Sequence, residues 1–170
     1  MASILKYYWV NECHFENGDT MDELDSKLLE LLQSEGRMTI SELSKKMALS
    51  RPSVSERLYR LQEEGIIDGF TARVFPEAVG RSVVVFVQIS DLKAGCREFE
   101  QVVEDIPDIL ECHRVTGTAS YFMKAAVANM ESLGLFVDKL TPYGRVNTSI
   151  VLSSPIRYRC VLPNDDKSDT

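Results

Sequence analysis

The sequence predicts an α+β chain in two parts, an N-terminal winged helix-turn-helix and a C-terminal ferredoxin-like βαββαβ domain. Two observations predict it. Residues 39–61, TISELSKKMALSRPSVSERLYRL, read as two short helices broken by a tight turn. Residues 82–152 then alternate β-branched runs with two segments of helical period. The expected division is an extension at 1–20, a winged helix-turn-helix unit at 21–76, a second domain at 77–157 and a tail at 158–170.

The extension, MASILKYYWVNECHFENGDT, has a short aromatic and apolar run at residues 4–10. It reads either as an added packing segment or as sequence upstream of a true start at Met21. From residue 22, Leu24, Leu28, Leu31 and Leu32 form a helical stripe. Asp22 is its expected N-cap, and Asp25 favours the positive helix end. Gly36 suits the C-terminus. Thr39 and Glu42 have capping-box spacing for the second helix, which buries Leu43 and Met47. Ala48-Leu49-Ser50 makes the turn. Ser50 caps the third helix, and Pro52 fits its first turn.

In the third helix Val54, Leu58 and Leu61 share the inward face, and Ser53, Arg57 and Arg60 fall together on another. A helix so placed is built to lie in the major groove of double-stranded DNA. Arginine bonds guanine or phosphate, and serine reaches a base edge or a phosphate. The expected DNA-binding residues are Lys45, Lys46, Ser50, Arg51, Ser53, Ser55, Arg57 and Arg60. Taken alone, the same helix also reads as an amphipathic helix with ordinary surface arginines. After Gly65, β-branched and aromatic residues flank Asp68-Gly69, the pattern of a short hairpin and hence a wing.

Composition agrees with a soluble globular protein: 44% of the 170 residues are hydrophobic and 26% charged. No apolar run approaches a membrane span, so no membrane partner is expected. Four scattered cysteines (Cys13, Cys96, Cys112, Cys160) lack any CxxC pair. They point to reduced thiols in the cytoplasm and away from zinc, and no cofactor is expected. The net charge of −7 is unusual for a DNA binder, but residues 41–61 hold five bases and two acids, a local +3. A basic face on an acidic body still meets phosphates.

In the second part, residues 82–89, 109–116, 121–128 and 146–152 read as strands, and residues 95–103 and 130–140 as helices. Both helices then cover one face of the sheet. The bare face needs burial, and a second copy of the chain is the natural cover. Residues 116–121, TGTASY, form a small-residue loop. It either binds a carboxylate or ammonium ligand or only turns the chain. Cys112 and His113 are neighbours in a strand, so they face opposite ways and form no joint site.

Four stretches together carry a resemblance: Asp22-x-x-Asp25, LLQSEGR at 31–37, ELSKKMALS at 42–50 and RLQEEGIIDGFTA at 60–72. With the βαββαβ pattern they resemble the Lrp/AsnC, or feast/famine, transcriptional regulators, over residues 21–157. The resemblance implies a sequence-specific regulator, not an enzyme, associated with the nucleoid. It implies dimers that assemble into tetramers, octamers or higher forms. It also places an amino-acid effector at Gly117, Thr118, Ala119, Ser120 and Tyr121. Two departures stand out. The family's turn glycine is Ala48 here. The loop usually reads G-D-x-D-Y, whereas Thr118 and Ser120 replace both acids. The alternatives are an architectural protein that wraps DNA with little sequence choice, and an enzyme like the related tetrapyrrole decarboxylases, which need more histidines than His14 and His113.

Overall fold

The computed structural model describes residues 21–164. The extension at 1–20 and residues 165–170 lie outside them. Contacts divide the described chain into two units, residues 21–71 with 158–164, and residues 72–157. The first boundary falls five residues before the expected 76, and the segment 158–164 belongs to the N-terminal unit.

The N-terminal unit holds α1 (Glu23–Ser34), α2 (Ile40–Met47) and α3 (Arg51–Glu63). Each starts where its cap residue dictates. Asp22 accepts the Asp25 N–H at 2.8 Å, and Asp25 accepts back from the Asp22 N–H at 3.2 Å, a complete capping box. Thr39 and Glu42 close the second box, and Ser50 accepts the Ser53 N–H at 3.3 Å. The three helices bury Leu28, Leu32, Leu43, Met47, Val54 and Leu61 in one core.

The hairpin expected after α3 does not form. Among the described residues, 66–75 hold no strand, and neither Asp68 nor Gly69 adopts positive φ. A two-residue hairpin turn of the type Asp-Gly favours needs positive φ at both central positions. A lone two-stranded ribbon is also marginal in water. The segment instead leads out to a single 3₁₀ turn, Pro76–Val79.

The second unit runs β1 (Val83–Ser90), α4 (Cys96–Glu104), β2 (Ile109–Arg114), β3 (Tyr121–Val127), α5 (Met130–Leu140) and β4 (Arg145–Ile150). The sheet order is β2-β3-β1-β4, every neighbouring pair antiparallel, which is the expected ferredoxin-like sheet. Alternation decides the faces. Val85, Val87, Ile89, Tyr121, Met123 and Ala125 turn inward against Phe99 and Val103 of α4 and Leu133, Phe136 and Leu140 of α5. The intervening Phe86 and Phe122 stay on the uncovered face, 46% and 38% exposed. Before β4 the backbone comes close to β1. A Cβ built on Gly144 would lie 2.7 Å from the Ser90 carbonyl oxygen. By surface area Cys112 and His113 are both exposed on β2, although the Cys112 sulfur lies close to other protein atoms. Protein around the Cys112 sulfur, with the Glu100 carboxylate, pushes its thiol up to about 11.

Candidate nucleic-acid interface

The geometry of α3 begins at the turn before it. α2 ends with Ala48 in the left-handed region at φ 55°, ψ 39°. The Leu49 N–H donates to Ser44 O at 3.1 Å and the Ala48 N–H to Lys45 O at 3.4 Å, the two bonds of a Schellman motif. The residue at this position is usually glycine because a Cβ is crowded there. Here Ala48 accepts the strain, and the Ser44 hydroxyl braces the turn by donating to Leu49 O at 2.6 Å.

Ser50 then starts α3. Its hydroxyl is engaged in the cap and lies 2.9 Å from that of Ser53. Val54 and Leu61 are buried and Leu58 half-buried, as the apolar spacing requires. The side carrying Arg57 and Arg60 faces α1. Arg57 Nη1 donates to Asp25 Oδ1 at 2.8 Å, and Arg60 Nη2 donates to Asp25 Oδ2 at 2.6 Å. Arg57 also lies 2.8 Å from Asp22 Oδ2. Asp25 is fully buried. Burial alone would raise its pKa, yet the bonds from Arg60 and Arg57 outweigh that effect and hold the carboxyl below its ordinary value. The bond to Asp25 likewise raises the Arg57 guanidinium against the opposing effect of burial.

The expected DNA residues therefore divide. Lys45, Lys46, Ser50, Arg51 and Ser55 are exposed. Lys46 makes only a loose 4.0 Å approach to Glu35. Ser53 is half-buried beside the cap, and Arg57 and Arg60 are turned to Asp25. The outward line of α3 is Arg51, Ser55 and Tyr59, at i, i+4 and i+8. Tyr59 is 64% exposed and was not among the expected contacts. Its signal was available: it falls off the Val54, Leu58 and Leu61 face.

The loop between β2 and β3 is a tight connection. The Val115 N–H donates to Ser120 O at 3.0 Å, and the Ser120 N–H donates to Ile89 O at 2.7 Å. Gly117 takes φ 115°, which only glycine adopts readily. Gly117 and Thr118 are exposed and Ser120 half-buried, while Ala119 and Tyr121 are buried. The Tyr121 hydroxyl donates to Glu100 Oε1 at 2.7 Å, and its ring lies 4.8 Å from that of Phe99. Burial and the Glu100 carboxylate raise the Tyr121 phenol well above its ordinary range.

A capped helix-turn-helix joined to an α+β domain with a four-stranded antiparallel sheet defines a two-domain DNA-binding protein. The comparisons narrow it. Residues 21–68 match the family description "Winged helix-turn-helix DNA-binding", and residues 82–161 match "Lrp/AsnC ligand binding domain". The chain belongs to the Lrp/AsnC family. It is 34% identical over 134 residues to the "Uncharacterized HTH-type transcriptional regulator YezC" of Bacillus subtilis, covering 79% of this chain and 95% of that protein. The structure of B. subtilis LrpC superimposes with a TM-score of 0.79 at 29% identity, covering 82% of this chain and all of that one. A Neisseria meningitidis transcriptional regulator in complex with L-Met gives 0.78 at 32% identity, covering 84% and 96%.

Proposed function

We propose that this transcriptional regulator reads double-stranded DNA with the outer line of α3, Arg51, Ser55 and Tyr59. Lys45 and Lys46 add phosphate contacts, and Arg51 also neutralises a phosphate. Arg57 and Arg60 hold α3 against α1 and so set the angle of the reading helix. The observation that carries this reading is the division of α3: its two later arginines are bonded to a buried carboxylate, and its outer line is open. Phosphate contacts fix register and base contacts select sequence, so a helix orientation held by ion pairs serves both.

The functional molecule is a dimer closed over the bare sheet face around Phe86 and Phe122, and higher assembly follows from it. It works in the cytoplasm on nucleoid DNA. Among the described residues no helix is long and apolar enough to cross a membrane. The effector is an amino acid received at the loop of Gly117, Thr118, Ala119, Ser120 and Tyr121. The L-Met complex of the Neisseria regulator supports this class of ligand. This loop carries no carboxylate, so an α-ammonium there is met by backbone carbonyls and hydroxyls.

The test is selection of bound fragments from a random DNA library, followed by genome-wide mapping of occupied sites. A shared motif with two half-sites about 34 Å apart supports the regulator. A footprint spreading over any curved DNA favours the architectural alternative instead.

A further inference from the structure

The C-terminal segment returns to the helix-turn-helix unit, and one side chain receives it. The Gln33 amide of α1 accepts the Val161 N–H at 2.9 Å and donates to Val161 O at 2.8 Å. It also accepts the Tyr158 hydroxyl at 3.1 Å and donates to Leu29 O of its own helix at 3.3 Å. A glutamine amide has two donors and two acceptor positions, and all four are used here. The paired bonds to one residue's N–H and C=O are how a strand edge recognises an extended peptide.

Beside the fork runs a groove of about 370 Å³, formed by Met21, Leu29, Leu32, Ile66 and Ile67, with residues 161–163 along its wall. Half-buried Cys160 and Pro163 flank this contact. The chain leaves the N-terminal unit at residues 71–72 and re-enters it at 157–158. The strap is thus a second attachment between the reading head and the rest of the chain.

We infer that residues 158–163 are a releasable latch, docked by Gln33, that restricts the travel of the reading head. Val161 and Leu162 remain 76% and 47% exposed, so hydrogen bonds rather than buried side chains hold the strap. Each bond to Gln33 contributes only a modest net amount against the ordering of the segment, and the latch opens and closes. A restricted head raises the effective concentration for the second half-site once the first is bound. The latch itself stands on the fork; its effect on DNA rests on the two-headed regulator proposed above.

The test has two arms on the full chain. In the first, amide exchange without DNA shows Val161 protected in the wild type and unprotected in Gln33→Leu. Exchange of wild-type Val161 at the rate of an unstructured peptide overturns the latch. In the second, Val161→Pro removes the donor without touching the helix-turn-helix. It weakens binding to a library-selected two-half-site fragment by about fivefold or more, and leaves a single half-site within about twofold. An unchanged ratio between the two fragments, or equal loss on both, overturns the tethering role. A wild type that binds neither fragment refutes the regulator reading, while the exchange arm still decides the latch.

Discussion

Replacing Asp25 by Asn tests how α3 is held. In the wild type the buried carboxylate takes Arg57 on one oxygen and Arg60 on the other, at 2.8 and 2.6 Å. Asparagine keeps one acceptor oxygen and puts an NH₂ where the second was, facing a guanidinium. One charge-assisted bond is lost, and a cation is left against a donor. Losing a hydrogen bond to a charged group costs roughly 1.5–3 kcal/mol, and stranding a buried charge costs more. The arginine side chains are 24% and 30% exposed, so water relieves part of that. Arg57 also retains Asp22. The expected loss is about 2–3 kcal/mol, a large fraction of the stability of a small domain. Urea unfolding followed at the helical signal measures it. With a slope near 1 kcal/mol per molar, the midpoint falls by about 2–3 M. A loss under about 0.5 kcal/mol refutes the claim that this carboxylate anchors the helix.

Further outcomes follow from the same geometry. The folded Asp25 pKa lies below its ordinary 3.8, so its stabilisation is present above that value and is lost as pH falls through the folded pKa; acid titration of stability therefore flattens in Asp25→Asn. Ala48→Gly relieves the left-handed strain and stabilises the N-terminal unit by about 1 kcal/mol, net of the freer unfolded chain, read as a rise of about 4–8 °C in melting temperature. Gly144→Ala drives a Cβ to 2.7 Å from Ser90 O and destabilises the sheet by about 1–3 kcal/mol in the same assay. Arg60→Ala lowers the unfolding midpoint, marking it as a residue of the fold; an unmoved midpoint contradicts that role.

The features legible in the sequence are those fixed locally or by period. The Asp22, Thr39 and Ser50 caps depend on residues three positions away, and each forms as read. The strands and both helices of the second unit follow from alternation, and their bounds shift by only a residue or two. The special position of Ala48 is visible only through the family resemblance, whose turn carries glycine there; the structure shows the left-handed backbone behind it. The pairing of Arg57 and Arg60 with Asp25 is not legible, because the acceptor lies 32 and 35 residues away and Asp25 shows only its helix-dipole role in the sequence. Tyr59 falls off the Val54, Leu58 and Leu61 face, so its exposure follows from the same helical period. The hairpin after Gly65 was read from a dipeptide that carries turn preference but no partner strand.

The most direct measurement of the central claim is the salt dependence of binding to one library-selected half-site. Each phosphate-neutralising cation contributes about −0.9 to the slope of log K against log salt. With Arg57 and Arg60 held by Asp25, the exposed Lys45, Lys46 and Arg51 give about −2.7, against about −4.5 if all five bases met phosphate. Arg51→Ala should reduce the magnitude of the slope by about one unit and leave the unfolding midpoint unmoved. A wild-type slope near −4.5, or an Arg51→Ala variant that binds with wild-type affinity and slope, contradicts the assignment of DNA reading to the outer line of α3.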